Sequence, residues 1–140
     1  MNFKTLTALV LLSAGLIVSP AGAHEGHDHD APTTLKAPKG GIIKALDESR
    51  VEVVYKGQDI KVYVYDRELK PAPTSEFKIV ATAELPRTKQ KDPVALTAKD
   101  TFFEGFYDAK KLHRYTLRLA VTDSKTGQTD DLTFTIEPRR

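Results

Sequence analysis

The feature that most constrains the fold is the strict alternation of apolar and polar residues over positions 59–66. Ile60, Val62 and Val64 alternate there with Lys61, Tyr63 and Tyr65. Because successive side chains of a β-strand point to opposite faces, the pattern predicts a strand with one face in a core. No stretch downstream of residue 40 shows a convincing helical period, so the sequence predicts an all-β domain.

Similar short runs follow one another along the chain, with turn residues between them. The predicted strands cover residues 42–46, 50–55, 59–66, 77–85, 94–98, 113–123 and 129–137. Residues 101–110 are rich in aromatic side chains around Gly105 and are interpreted as a crossover at one end of the core. About seven strands of this kind predict an immunoglobulin-like antiparallel β-sandwich over residues 40–138, with a small barrel as the alternative.

The first 23 residues have the composition of a secretory signal peptide. Lys4 precedes an apolar run over residues 6–18, and Ala21-Gly22-Ala23 is a small-residue cleavage site. The run is about 13 residues long, shorter than the ~20 that a membrane span needs. We therefore expect cleavage after Ala23, a periplasmic or secreted protein, and no membrane insertion after processing.

Cleavage at that point makes His24 the first residue of the mature chain. Residues 24–39 contain three of the four histidines, together with Pro32, Pro38 and few large apolar residues. A segment of this composition buries too little apolar surface to order itself. It is predicted to be a flexible, His-rich tail.

The tail carries the predicted metal ligands, which are His24, His27 and His29. Imidazole nitrogen suits copper(II) and zinc(II), and the acidic residues at 25, 28 and 30 can add an oxygen ligand. The α-amine and ring of an N-terminal His24 would form a chelate on one weakly held ion. The alternative is a solvated polar tail that binds no ion.

Other classes of site are not indicated. The chain has no cysteine, which excludes disulfides and thiolate metal sites. The formal net charge is +2 with mixed signs, so no nucleic-acid partner is implied, and the cationic residues at 87, 89 and 91 are interpreted as a solvated loop.

His113 is predicted to be an exposed strand-end residue, and Tyr63 and Tyr65 to be packing residues on one face of a sheet. No hydrolase or phosphate-binding motif occurs, so we expect no enzymatic activity.

Four short motifs carry a resemblance to a known group of proteins. They are Gly40-Gly41-Ile42, Val51-Glu52-Val53-Val54, Val62-Tyr63-Val64-Tyr65-Asp66 and Lys70-Pro71. In this order they resemble small periplasmic proteins, and equivalent domains of efflux adaptor subunits, associated with bacterial heavy-metal export. Many members carry a histidine before the Gly-Gly pair, where this chain has Lys39. The N-terminal His24 and the fold class are also similar to periplasmic copper carriers of the CopC type.

The resemblance implies a periplasmic metal-binding accessory protein that buffers or hands over copper or zinc. Its partners would be metal ions and an efflux adaptor or another envelope protein. The alternative function is a β-sandwich interaction module that docks on an envelope partner without a metal role. A copper enzyme is disfavoured, because its ligands would have to be held rigidly and here they share a flexible tail.

Overall fold

The computed structural model describes residues 35–138, which form nine β-strands in two antiparallel sheets. In chain order the strands are β1 (Ile42–Ala45), β2 (Ser49–Lys56), β3 (Asp59–Asp66), β4 (Phe77–Glu84), β5 (Lys91–Val94), β6 (Leu96–Ala98), β7 (Phe102–Phe106), β8 (Tyr115–Asp123) and β9 (Thr129–Ile136). A 3₁₀ turn, Thr74–Glu76, precedes β4. Within residues 35–138, no helix has the length and apolar character needed to cross a membrane.

The two sheets have the orders β1-β2-β3-β7-β6 and β5-β4-β8-β9. Most neighbouring strands are joined as antiparallel hairpins, and β2 meets β3 through a two-residue turn between Lys56 and Asp59. Gly57 opens that turn with φ +61°, a conformation that glycine adopts without steric cost. The predicted all-β, antiparallel sandwich is confirmed.

The core lies between the sheets and is built from the alternating residues. Its fully buried members include Val51, Val53, Ile60 and Val62 from the five-stranded sheet, and Leu117, Leu119, Phe134 and Ile136 from the four-stranded sheet. The observed limits of β3 equal the predicted ones, residues 59–66. Alternation therefore placed the correct face of each long strand in the core.

The structure has nine strands where about seven were predicted, because residues 91–94 and 96–98 form two strands where one was predicted over residues 94–98, and residues 102–106 form another. The chain leaves the four-stranded sheet after β5 and enters the five-stranded sheet as β6, with Ala95 between them. Pro93 lies inside β5 although it cannot donate a backbone hydrogen bond. This is tolerated because β5 is an edge strand with a neighbour on one side only.

The predicted crossover at residues 101–110 was also wrong in part, since its first half is strand β7. Phe103 points into the core, while Phe102 and Phe106 point to the other face. Close packing favours glycine at position 105, because a Cβ there would lie 2.7 Å from Leu96 Cδ2 and 3.0 Å from the Ala95 carbonyl oxygen. After β7, Tyr107 does enter one end of the core, where its hydroxyl donates to Asp92 Oδ2 at 2.9 Å.

Because of the buried phenol of Tyr107 at this end of the core, we expect the domain to lose stability at alkaline pH. The ring of Tyr107 lies 4.9 Å from that of Tyr115, and burial, with the Asp92 hydrogen bond, raises the pKa of Tyr107 to about 12. An unfolded tyrosine ionises at about 10, so the folded state keeps a proton that the unfolded state loses. The free energy of unfolding should be unaffected by Tyr107 below pH ~10 and should fall as pH rises from there towards ~12.

Urea denaturation at about pH 8 and about pH 11 measures this effect. Tyr107→Phe should fall less steeply between the two pH values than the unsubstituted protein does. Equal losses in both proteins would mean that the Tyr107 phenol ionises alike in the folded and unfolded states.

Candidate functional site

The predicted metal ligands His24, His27 and His29 lie outside the described residues, as do the predicted signal peptide and cleavage site. The domain boundary at residue 40 stays a prediction. His113 is exposed in the loop before β8, as expected for a strand-end residue. Over residues 35–138, no three His, Cys, Asp or Glu side chains come together in a group that could hold a metal ion.

The most unusual side chain of the described domain is Glu52 of β2. Strand alternation points it away from the core, on the outer face of the five-stranded sheet, yet it is 0% exposed. Its Oε1 accepts hydrogen bonds from the Lys39 amide at 3.0 Å and from the Gly41 amide at 2.7 Å. Its Oε2 accepts from the Tyr65 hydroxyl at 2.8 Å. These hydrogen bonds offset the free-energy cost of burying the Glu52 carboxylate.

The cover over Glu52 is a short segment before β1 that we call the strap, residues 37–41. The strap turns back on itself, with Gly40 N donating to Ala37 O at 3.1 Å and Gly40 at φ +75°. A Cβ on Gly41 would lie 2.3 Å from the Val53 carbonyl oxygen, so only glycine lets the strap pass this close to the backbone of β2. The Gly40-Gly41 pair is therefore explained by one left-handed turn and one close backbone contact.

Beside the strap, three rings form what we call the aromatic row: Tyr65, Tyr63 and Phe102. The rings of Tyr65 and Tyr63 are nearly parallel at 6.2 Å, and Phe102 lies 5.4 Å from Tyr63. Lys39 Nζ is 5.7 Å from the Tyr63 ring, within the range of a cation–π contact. Lys39 of the strap thus contacts the aromatic row at Tyr63.

Tyr65 is the link between the two features. It is 1% exposed, and burial together with the hydrogen bond to Glu52 raises the pKa of its phenol above the usual value near 10. The phenol therefore remains protonated at neutral pH and keeps donating to the carboxylate. We call this arrangement the anchor, because its hydrogen bonds hold residues 37–41 against the five-stranded sheet.

The sequence did not indicate this anchor. Glu52 stands at an outward position of its strand, where an exposed side chain is expected, and Tyr65 was predicted only to pack on one face of the sheet. The signal that could have found it is the glycine pair directly before β1, since adjacent glycines permit a close approach of the backbone to a neighbouring strand.

A second surface feature is an open groove at the end of the sandwich where β4 ends, β8 begins and β9 ends. Its volume is about 810 Å³. We call it the end groove; its lining comprises Leu85, Pro86, Arg87, Thr88, Lys111, Leu112, His113, Arg114 and Glu137. The groove combines apolar side chains with cationic ones, so its chemistry suits a ligand that is anionic and partly apolar.

Neither a protein-family model nor a curated protein sequence matches the chain. Among solved structures, the fold is similar to that of a copper-bound variant of FetP from uropathogenic Escherichia coli strain F11. The TM-score is 0.53 at 8% sequence identity, over 69% of this chain and 93% of that chain. At this identity the likeness shows a shared β-sandwich fold. The resemblance to heavy-metal efflux proteins and the efflux-adaptor partner gain no support from these comparisons and stay predictions.

Proposed function

We propose that the protein is a periplasmic metal-handling accessory that binds copper(II), or more weakly zinc(II), through its N-terminal histidine tract. The observation that carries this proposal is the tract itself, with His24, His27 and His29 beginning directly after a predicted signal-peptidase site. The protein would bind and release ions, and it would have no catalytic role.

The ligand chemistry favours copper(II). Histidine nitrogens with an occasional carboxylate oxygen suit its tetragonal coordination, and copper(II) binds such sites more tightly than zinc(II) does. The similarly folded FetP variant is copper-bound, which supports the choice of metal without transferring any ligand to this chain.

The anchor around Glu52 supports a tethered binding segment. The strap is held by hydrogen bonds of 2.7 to 3.1 Å to one buried carboxylate, so the chain N-terminal to it starts from a fixed point on a rigid sandwich. Ions bound by the tract would then stay tethered to the domain, which would raise their local concentration for handover to a partner.

The N-terminal chelate is tested by adding one alanine ahead of His24. We expect the protein that starts at His24 to bind copper(II) at least about tenfold more tightly than the extended protein, because the extra residue separates the α-amine from the ring. Competition titration at fixed pH measures both affinities. The affinity should also fall as pH drops below ~6.5, where protons compete for the imidazoles.

His113→Ala is the matched control, since it removes a histidine that lies outside the tract and is exposed. It should leave the affinity for copper(II) unchanged. Equal affinities of the native and extended proteins would refute the chelate, and loss of binding in His113→Ala would move the site onto the folded domain.

A further inference from the structure

The end groove has a cationic rim and an apolar wall. Arg87, Lys111 and Arg114 are exposed, and His113 lies between the last two, while Glu137 is the carboxylate among the lining residues. Leu85 and Leu112 are half-buried and pack against the core. Clustered cations beside apolar surface favour an anionic ligand that also carries apolar groups.

The groove is continuous with further open space. A second cavity of about 570 Å³ shares Lys111 and Leu112 with it, and its other charged lining residues are Lys110 and Asp108, one of each sign. The ligand therefore has room to extend along the end of the sandwich, beyond what a small anion would occupy.

The loops that carry these lysines hold an unusual backbone. In residues 35–138, four residues other than glycine have a positive φ, and three of them are Lys89, Lys110 and Lys111, at +52°, +48° and +68°. Glycine would adopt these angles without strain, and strained residues of this kind cluster at functional sites.

Hydrogen bonds keep both loops in shape. Lys89 N donates to Leu85 O at 3.0 Å, and Leu112 N donates to Ala109 O at 3.0 Å. Arg87 and Lys111 are thus carried by loops whose conformation is set before a ligand arrives, which lowers the entropic cost of binding.

An edge strand ends at the groove. In the described part of the chain, β9 pairs only with β8, so its other side presents unpaired backbone N–H and C=O groups over eight residues. Such an edge pairs with an added extended polypeptide, whereas a phosphate ion or a lipid headgroup has no strand to offer it. Thr133 and Thr135, near the groove, are exposed and uncharged, while Asp131 lies further along β9.

We propose that the end groove binds an extended acidic peptide segment of a protein partner. The carboxylates of the segment pair with Arg87, Lys111 and Arg114, and its backbone continues along the open edge of β9. Asp131 repels acidic residues, so the part of the segment that lies along that half of β9 is neutral. This site is independent of the metal proposed above.

The probe is a short fluorescein-labelled peptide in which alternating threonine and valine residues are followed by a run of glutamates. Fluorescence anisotropy measures its affinity without added metal, and binding should weaken as salt is raised. The double variant Arg87→Glu/Arg114→Glu should bind at least about tenfold more weakly than the unsubstituted protein. Its control, Lys70→Glu/Lys78→Glu, reverses two exposed charges elsewhere and should bind normally.

The same peptide with N-methyl groups on every threonine and valine residue keeps every charge but can donate no backbone hydrogen bond from that part to β9, and it should bind more weakly. Equal binding by the groove variant and its control would overturn the proposal. Groove-dependent binding to phosphatidylglycerol vesicles, without binding to the peptide, would also overturn it and identify a lipid surface as the ligand.

Discussion

Replacing Val62 or Leu117 by aspartate is expected to abolish folding of the domain. Both side chains are 0% exposed, one in β3 and the other in β8, so the two substitutions lie on opposite sides of the same core. An unpaired carboxylate placed there costs several kcal/mol, which is comparable to the roughly 5–15 kcal/mol that stabilise a whole domain. Neither site offers a cationic partner by strand register.

Lys61→Asp is the matched control, one residue before Val62 on the opposite face of the same strand. It loses a contact of 5.1 Å between Lys61 Nζ and the Phe102 ring at a half-buried site and sets a carboxylate opposite Glu104, which together should cost about 1–2 kcal/mol. Far-ultraviolet circular dichroism and thermal melting distinguish the three variants. If Lys61→Asp unfolded as readily as the core variants, the face assignment of β3 would be wrong.

Strict alternation explains why the long strands could be predicted from sequence. In β3, β8 and β9 apolar residues recur at alternate positions, and the buried positions follow the same period apart from Tyr65 on the outer face of β3. For a strand with one face in a core, a one-residue shift of register would expose every apolar side chain, so the pattern determines the face strongly.

The short strands could not be predicted in the same way, because their limits depend on neighbours distant in sequence. β5 contains two charged residues and Pro93, which are signals for a loop, and it is a strand only because an edge position tolerates them. β7 contains Gly105, which weakens a strand in isolation but is needed where Leu96 approaches its backbone.

The anchor shows a different limit of sequence reasoning. A period of two tells which face a residue occupies, but not whether another segment covers that face. Gly41, Glu52 and Tyr65 belong to the motifs that suggested the family resemblance, and the structure brings them into one hydrogen-bonded cluster. Two further motif residues, Asp66 and Lys70, are also joined in the structure, because Asp66 Oδ1 accepts a hydrogen bond from the Lys70 amide at 2.9 Å. Within the described domain these motifs therefore specify local folding.

Glu52→Leu is expected to release the strap and to lower the free energy of unfolding by about 2–5 kcal/mol. Leucine fills a similar volume but accepts no hydrogen bond, so the Tyr65 hydroxyl loses its acceptor in a buried place, and the Gly41 and Lys39 amides lose theirs at partly buried ones. Tyr65→Phe removes one donor and leaves the carboxylate two backbone partners, and should cost only about 1 kcal/mol. Because Glu52 and Tyr65 are in direct contact, the variant that carries both substitutions should lose less free energy of unfolding than the two single variants lose together.

The control is Glu104→Leu, which removes a glutamate from the same outer face of the five-stranded sheet. Glu104 is 47% exposed and contacts Lys99 at 3.7 Å, so its loss should change stability by no more than about 0.5 kcal/mol. Urea denaturation gives the free energies, and hydrogen exchange at the Gly41 amide reports the strap directly. In Glu52→Leu that amide should exchange faster than amides in the centre of β3, because the strap opens without unfolding the sheets. Unchanged exchange at Gly41, together with unchanged stability, would show that the carboxylate does not hold the strap.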